Sequence, residues 1–293
     1  MTELSAPVPF AWVLNLDAEL ELERPEHVPN TKLAAQLALH AERARVLLGP
    51  DDVLAHELPT GSTGYRGRAW CPTPRALATL RAAGVSPEPH PPVDVLRRAN
   101  HRRFSAELGG GPPGSEYVED PAVVVSRLRT ADDWLLKRPL SFAGRGQLYV
   151  RGATSAPQAA WIEASLRQGG IMMEPRVRVL AELGLHGFIR QSGAVGFGRP
   201  CVQIVSDRGV WQSTRLASAS DLDGAECSSL VASGERTAEA LLKIGYFGPF
   251  GIDAYRYEQG GRIGFCALSE INARYTMGFA VGYRVAPHLL SVV

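Results

Sequence analysis

Near the C-terminus the segment "CALSEINARYTMG", residues 266–278, places Glu270 and Asn272 two residues apart at the end of an apolar run. On a strand, side chains at i and i+2 project from one face. A carboxylate and an amide oxygen aimed the same way offer two hard oxygen donors, the type that Mg²⁺ takes. Taken alone, such a pair is more commonly a charged strand end followed by an Asx-type turn. Upstream, "GPFGIDAYRY" carries Asp253 on a strand that leads into a Gly260-Gly261 turn, and Glu270 lies on the returning strand. That hairpin would bring Asp253, Glu270 and Asn272 together as three oxygen ligands for one or two cations.

A second group of residues suits phosphate. "LLKRPLSFAGRGQLYV" sets Lys137 on a strand, then a loop of small residues, then another strand. Phosphates need backbone N–H groups that can approach closely and a point positive charge. Lys137 supplies the charge, Ser141, Ala143, Gly144 and Gly146 permit the approach, and Arg145 can add a contact. A plain β-hairpin with a glycine turn and a solvated lysine would read the same. The chain has only three lysines, Lys32, Lys137 and Lys243, so arginine supplies 31 − 3 = 28 of its basic residues. Where arginine is the default cation, a lysine points to a need for a compact charge. "IMMEPRVRVLAEL" adds Glu174 and Glu182 after an apolar strand edge. Backbone groups there can read an adenine edge and a carboxylate can accept ribose hydroxyls, although two surface acids would look alike.

The order of these parts resembles the ATP-grasp superfamily: a lysine strand, the "SFAGRG" loop, the "MMEP" hinge, an aspartate strand, then "EINAR". The resemblance covers roughly residues 116–282. It implies an α/β (α+β) chain with an ATP-grasp domain over residues 113–293, preceded by a small Rossmann-like α/β lobe over residues 1–112. It implies ATP and Mg²⁺ as cofactors. Lys137 would hold the phosphates, and Ser141, Gly144, Arg145 and Gly146 would cover them. Met173, Glu174 and Val177 would line the adenine, Glu182 would bind the ribose, and Asp253, Glu270 and Asn272 would ligate Mg²⁺. The implied reaction is activation of a carboxylate as an acyl phosphate, followed by attack of an amine or, less often, a thiol. Arg274, just past the ligands, would stabilise the charge that builds on the tetrahedral carbon, with Lys137 serving the phosphoryl step. Arg256 and Arg215 are weaker candidates for holding the acid. Two other readings stay open: a kinase of the same fold acting on a hydroxyl, and a nucleotide-binding protein without catalysis. One feature departs from the family. Its further phosphate lysine, before the loop, has no counterpart; "ANHRRFSAEL" offers Arg102 or Arg103 instead.

The elements needed to position these groups are legible in part. Residues 10–16 read as a strand, and residues 30–48 as a helix capped by Asn30 or Thr31 with Leu33, Leu37, Ala41, Ala44 and Leu48 on one face. A short strand at 53–55 and a helix at 71–84, with Pro74 in its first turn, complete an alternating lobe. Residues 93–109 read as one helix, and "GGGPPGS" at 109–115 as a boundary. Beyond it, helices are expected near 156–168 and 233–245 between hairpin-like strands. The 293 residues carry a net charge of +1, which gives no support for bulk binding to nucleic acid or anionic membrane. The four cysteines form no C-x-x-C pair, which argues against structural zinc or a disulfide framework and suits the cytoplasm. The seven histidines are scattered without a nucleophile–base pattern, and His186 reads as a packed or surface residue. Small-molecule acid and amine substrates are the implied partners, and a homodimer is a further expectation.

Overall fold

The computed structural model describes residues 8–59, 61–129, 132–141, 146–206 and 211–283. The first sheet holds β1 (Phe10–Val13), β2 (Val53–Leu54) and β3 (Arg66–Ala69), parallel and in the order β2-β1-β3. Around it lie α1 (Ala18–Glu23), α2 (Thr31–Ala44) and α3 (Pro74–Ala82). The Asn30 side chain accepts the Leu33 N–H at 2.9 Å and starts α2, as its sequence position implies. Helix α1 was not legible, because "AELELE" alternates as a strand would. Long-range partners decide it: Glu21 is buried and accepts Thr73 Oγ1 at 2.6 Å and the Arg75 N–H at 2.7 Å.

The helix expected over 93–109 is two helices, α4 (Val93–Asn100) and α5 (Arg102–Glu107). His101 breaks them with an extended backbone (φ −79°, ψ 132°), and its ring nitrogen accepts the Arg103 N–H at 3.2 Å. The Arg102 N–H thereby donates to the Pro139 carbonyl at 3.0 Å, and the break presents Arg102 to the segment after the lysine strand.

The second sheet is antiparallel. It holds β4 (Glu116–Val118), β5 (Asp133–Lys137), β6 (Gln147–Arg151) and β7 (Ile171–Pro175) in the order β4-β7-β5-β6. Helices α6 (Pro121–Leu128) and α7 (Ala156–Arg167) contribute Val124 and Ile162 to a core shared with Trp134, Leu136, Val150 and Met173. The third sheet holds β8 (Arg178–Ile189), β9 (Val195–Phe197), β10 (Cys201–Val205), β11 (Trp211–Leu216), β12 (Gly248–Gln259) and β13 (Arg262–Asn272). Its order is β11-β10-β8-β12-β13, with β9 paired to β8. β8 is one continuous 12-residue strand that runs through Gly184 and Gly187. Gly187 is there for room: a Cβ would lie 2.5 Å from the Phe250 ring.

Helix α8 (Gly224–Lys243) covers one face of this sheet, and α9 (Phe279–Gly282) closes one end. α8 starts earlier than its apolar spacing suggests. Asp223 accepts the Glu226 N–H at 2.8 Å while Glu226 accepts the Asp223 N–H at 3.2 Å, a reciprocal cap. The main core joins the first lobe to the third sheet through Trp12, Leu22, Leu96, Phe104, Leu185 and Ile252. All four cysteines are free. Among the described residues no helix is long and apolar enough to cross a membrane.

Candidate active site

The antiparallel register places Asp253 opposite Glu270 and Gly251 opposite Asn272. Across the other edge of β12, Tyr255 lies beside Glu182, and Gln203 of β10 pairs with Glu182 in turn. The two-residue period therefore collects Glu182, Gln203, Asp253, Glu270 and Asn272 on one face. Asp253 accepts from two amides, Gln203 Nε2 at 2.7 Å on Oδ1 and Asn272 Nδ2 at 2.8 Å on Oδ2. Burial pushes the Asp253 carboxyl above its usual range and the Glu270 charge adds to this, against the two amide hydrogen bonds. Glu270 behaves oppositely. Burial alone would raise it, but the Arg102 guanidinium, helped by Lys137 and Arg274, holds it below the carboxylate range. Glu182 is pushed up to about 7 by burial and by Asp253, with Lys137 opposing. It therefore belongs to the same anionic centre.

The second sheet supplies a lysine. Lys137 Nζ meets Glu174 Oε1 at 2.6 Å, and both residues are buried. Lys137 is opposite Met172 in the β5–β7 register, so Glu174 is its diagonal neighbour on the same face. Met173 points the other way, into the core with Leu136 and Trp134, so its side chain does not line that face; Met172 shares the face of Lys137 and Glu174. Val177 packs against Tyr255, Tyr257 and Cys266. Ser141 Oγ accepts Arg102 Nη2 at 3.0 Å. Gly146 adopts φ +67°, and its carbonyl accepts the Arg138 N–H at 2.9 Å, which closes the root of the loop. Gly144 and Arg145 lie outside the described residues.

The arginines sort by partner. Arg102, 5% exposed, reaches Glu270 Oε2 with Nη1 at 2.7 Å, whereas Arg103 turns outward to Glu119 and lies over the Tyr117 ring. Of the two, Arg102 lies beside the acid cluster and Arg103 does not. Arg274 is not a free cation past the ligands: Nε donates to Glu19 of α1, Nη1 donates to the Tyr275 carbonyl at 2.9 Å, and the guanidinium lies over Trp70. Its charge still acts on Asp253 and Glu270. Arg256 pairs with Glu226 and Arg215 with Asp221, both away from the acid cluster, which accounts for them as structural groups. His186 is packed, 2% exposed, and burial lowers its pKa to about 4. Glycines make its space: a Cβ on Gly278 would lie 2.6 Å from its Nε2.

Sequence reading missed Gln203 and Glu19. The signal for Gln203 was a lone polar residue inside the apolar run "CVQIV". Glu19 gave none, because its partner is 255 residues away.

The donors suit a hard cation. Two carboxylates face each other beside the Asn272 amide, and the Asp253 carboxyl is raised by burial and then by the Glu270 charge, a repulsion that a divalent ion would relieve. Among the described residues no group of three His, Cys, Asp or Glu side chains is arranged to hold a metal.

No protein-family model matches the chain, and no curated protein matches it by sequence. Solved structures do match. The ADP complex of purK, N5-carboxyaminoimidazole ribonucleotide synthetase, is similar with a TM-score of 0.51 at 12% identity, over 94% of this chain and 73% of that one. D-alanyl-alanine synthetase A from Vibrio cholerae is similar with a TM-score of 0.50 at 14% identity, over 91% and 89%. N5-carboxyaminoimidazole synthetase from Staphylococcus aureus, complexed with ADP, has a TM-score of 0.46 at 11% identity over 68% of this chain. The chain spans about half the length of that protein, 51%. With its parallel first lobe, its lysine-bearing antiparallel sheet and its acid-bearing third sheet, the chain has the ATP-grasp fold.

Proposed function

We propose that the chain is an ATP- and Mg²⁺-dependent ligase that activates a small carboxylic acid as an acyl phosphate for attack by an amine, or less often a thiol. The observation that carries this reading is the single face on which Asp253, Glu270 and Asn272 gather beside Lys137 and Arg102. A site of opposed anions and cations suits phosphoryl transfer, which asks the protein for positioning and charge neutralisation. Asp253, Glu270 and Asn272 would hold Mg²⁺, which supplies charge neutralisation on the phosphates when bound. Lys137 would turn from Glu174 toward phosphate oxygens. The segment between Ser141 and Gly146, which includes Gly144 and Arg145, would cover them and exclude water. Met172, Glu174 and Val177 would border the adenine, Met173 contributing only backbone. Glu182 would accept the ribose hydroxyls. Arg274 would present positive charge on the side where residues 1–112 would admit the acid, next to residues 113–293, which would hold the nucleotide.

The fold neighbours support the ligase reading in kind: one is a synthetase joining alanines and another forms a carboxyamino compound, by their names. Soluble small molecules in the cytoplasm are the proposed substrates. The test is a phosphate-release screen with MgATP against amino acids and small acids. We expect one acid–amine pair to stimulate release, and Glu270→Gln to reduce it by about 100-fold, with partial recovery at high Mg²⁺. A phosphorylated product without phosphate release would favour the kinase reading instead. Turnover in Glu270→Gln equal to wild type would overturn the site.

A further inference from the structure

Arg102 makes three side-chain contacts of two kinds. Nε donates to the Arg138 carbonyl at 3.0 Å and Nη2 to Ser141 Oγ at 3.0 Å, both at the root of the loop. These neutral partners fix the guanidinium in place. Nη1 meets Glu270 Oε2 at 2.7 Å, and this partner is a carboxylate whose side chain is 27% exposed. Asp253, beside it, is held by the amides of Gln203 and Asn272, not by a cation. One of the two carboxylates is thus already paired with a positive charge, and the other is not. A second positive charge brought to Glu270 meets the guanidinium first, in a buried setting where charge interactions are strong.

We infer that Arg102 is a resident counter-ion that keeps Glu270 from taking a divalent cation until a nucleotide arrives with it, the freed Nη1 then turning to phosphate. The inference rests on the nucleotide reading of the site given above. Its physical basis is charge balance. A metal ion alone would add two positive charges beside Arg102 and Lys137, whereas a polyphosphate brings the negative charge that offsets all of them. The guanidinium need not leave, because Nε and Nη2 keep their partners on the loop root while Nη1 exchanges one anion for another. A lysine donates from a single nitrogen, whereas these three contacts use three separate nitrogens of the guanidinium. Metal, nucleotide and the loop root are therefore linked through one side chain.

The test uses Mn²⁺ as the probe for Mg²⁺, titrated by electron paramagnetic resonance into wild type, Arg102→Met and Arg102→Lys, with and without a non-hydrolysable ATP analogue. Wild type should bind Mn²⁺ weakly alone and strongly with the analogue. Arg102→Met should bind Mn²⁺ alone about tenfold more tightly or better, and the analogue about tenfold more weakly. Arg102→Lys, which keeps the charge and protects against a folding failure of the methionine variant, should fall between them on both measures. Equal Mn²⁺ affinity without nucleotide in wild type and both variants would overturn the counter-ion role. Failure of the nucleotide reading would look different: wild type would bind no analogue, whatever the Mn²⁺ titrations gave.

Discussion

On one face of β12 Asp253 shares a crowded anionic centre, and on the other Arg256 closes the start of α8 by pairing with Glu226 and donating Nη2 to the Asp221 carbonyl at 2.8 Å. The two faces use the same side-chain types to opposite ends. On the α8 side each charge meets its partner, and both members of the pair shift toward their charged forms: Arg256 is raised and Glu226 lowered, each chiefly by their mutual hydrogen bond. On the acid side two carboxyls are raised, Asp253 by burial and the Glu270 charge, and Glu182 by burial and the Asp253 charge. A fold selected for stability alone would not crowd acids there. The difference separates polar groups that hold the fold from acids crowded against one another, and such perturbed groups mark candidate functional sites.

Three experiments would break or sharpen that contrast. The largest stability effect is expected from Lys137→Met, which leaves Glu174 buried and unpaired and should cost about 3–5 kcal/mol. Adding Glu174→Gln should restore most of that stability in denaturant melts without restoring nucleotide affinity. Recovery of both would make the pair structural, like Arg256–Glu226. Arg256→Met should cost less, about 1 kcal/mol, since the pair is partly solvated. Nucleotide affinity, followed by calorimetry, should not change; a parallel loss would erase the distinction between the two faces.

The smallest effect is a pH dependence of stability. Glu182 has a folded pKa raised from 4.5 to about 7, so the native state keeps a proton that the unfolded chain releases. Its stabilising contribution is full below 4.5 and is lost as pH rises toward about 7. His186 runs the other way. Its folded pKa is lowered from 6.5 to about 4, so stability is full above 6.5 and is lost as pH falls toward about 4. Glu182→Gln should remove the decline on the alkaline side in thermal melts, and His186→Gln the decline on the acid side. Melts of Glu182→Gln that keep the wild-type alkaline slope would remove Glu182 from the strained centre.

Some parts of the molecule were readable because their causes are local. Asn30 caps α2 through a bond three residues long, Pro74 opens α3, and the Gly260-Gly261 turn sets β12 against β13. Others were not, because local pattern and tertiary context disagree. "AELELE" has a strand's alternation but folds as α1, since its buried acids find Thr73, Arg75 and Arg274. Gly184 and Gly187 lie inside the continuous β8, at places where neighbouring side chains need the room. The helix over 93–109 looked continuous, and His101 splits it so that Arg102 can reach the Pro139 carbonyl.

By itself the sequence determined which residues share a face. The two-residue period of a strand puts Glu270 with Asn272, and the hairpin turn adds Asp253; neither depends on anything beyond neighbouring strands. Only the tertiary structure decided which cations and amides those acids meet. Gln203 reaches Asp253 from β10, Arg102 reaches Glu270 from α5, and Glu19 takes Arg274 from across the first lobe. The physical reason is range. Backbone geometry fixes side-chain direction within a few residues, whereas the partner of a buried charge is set by how distant elements pack, and a buried charge must be paired wherever that packing leaves it.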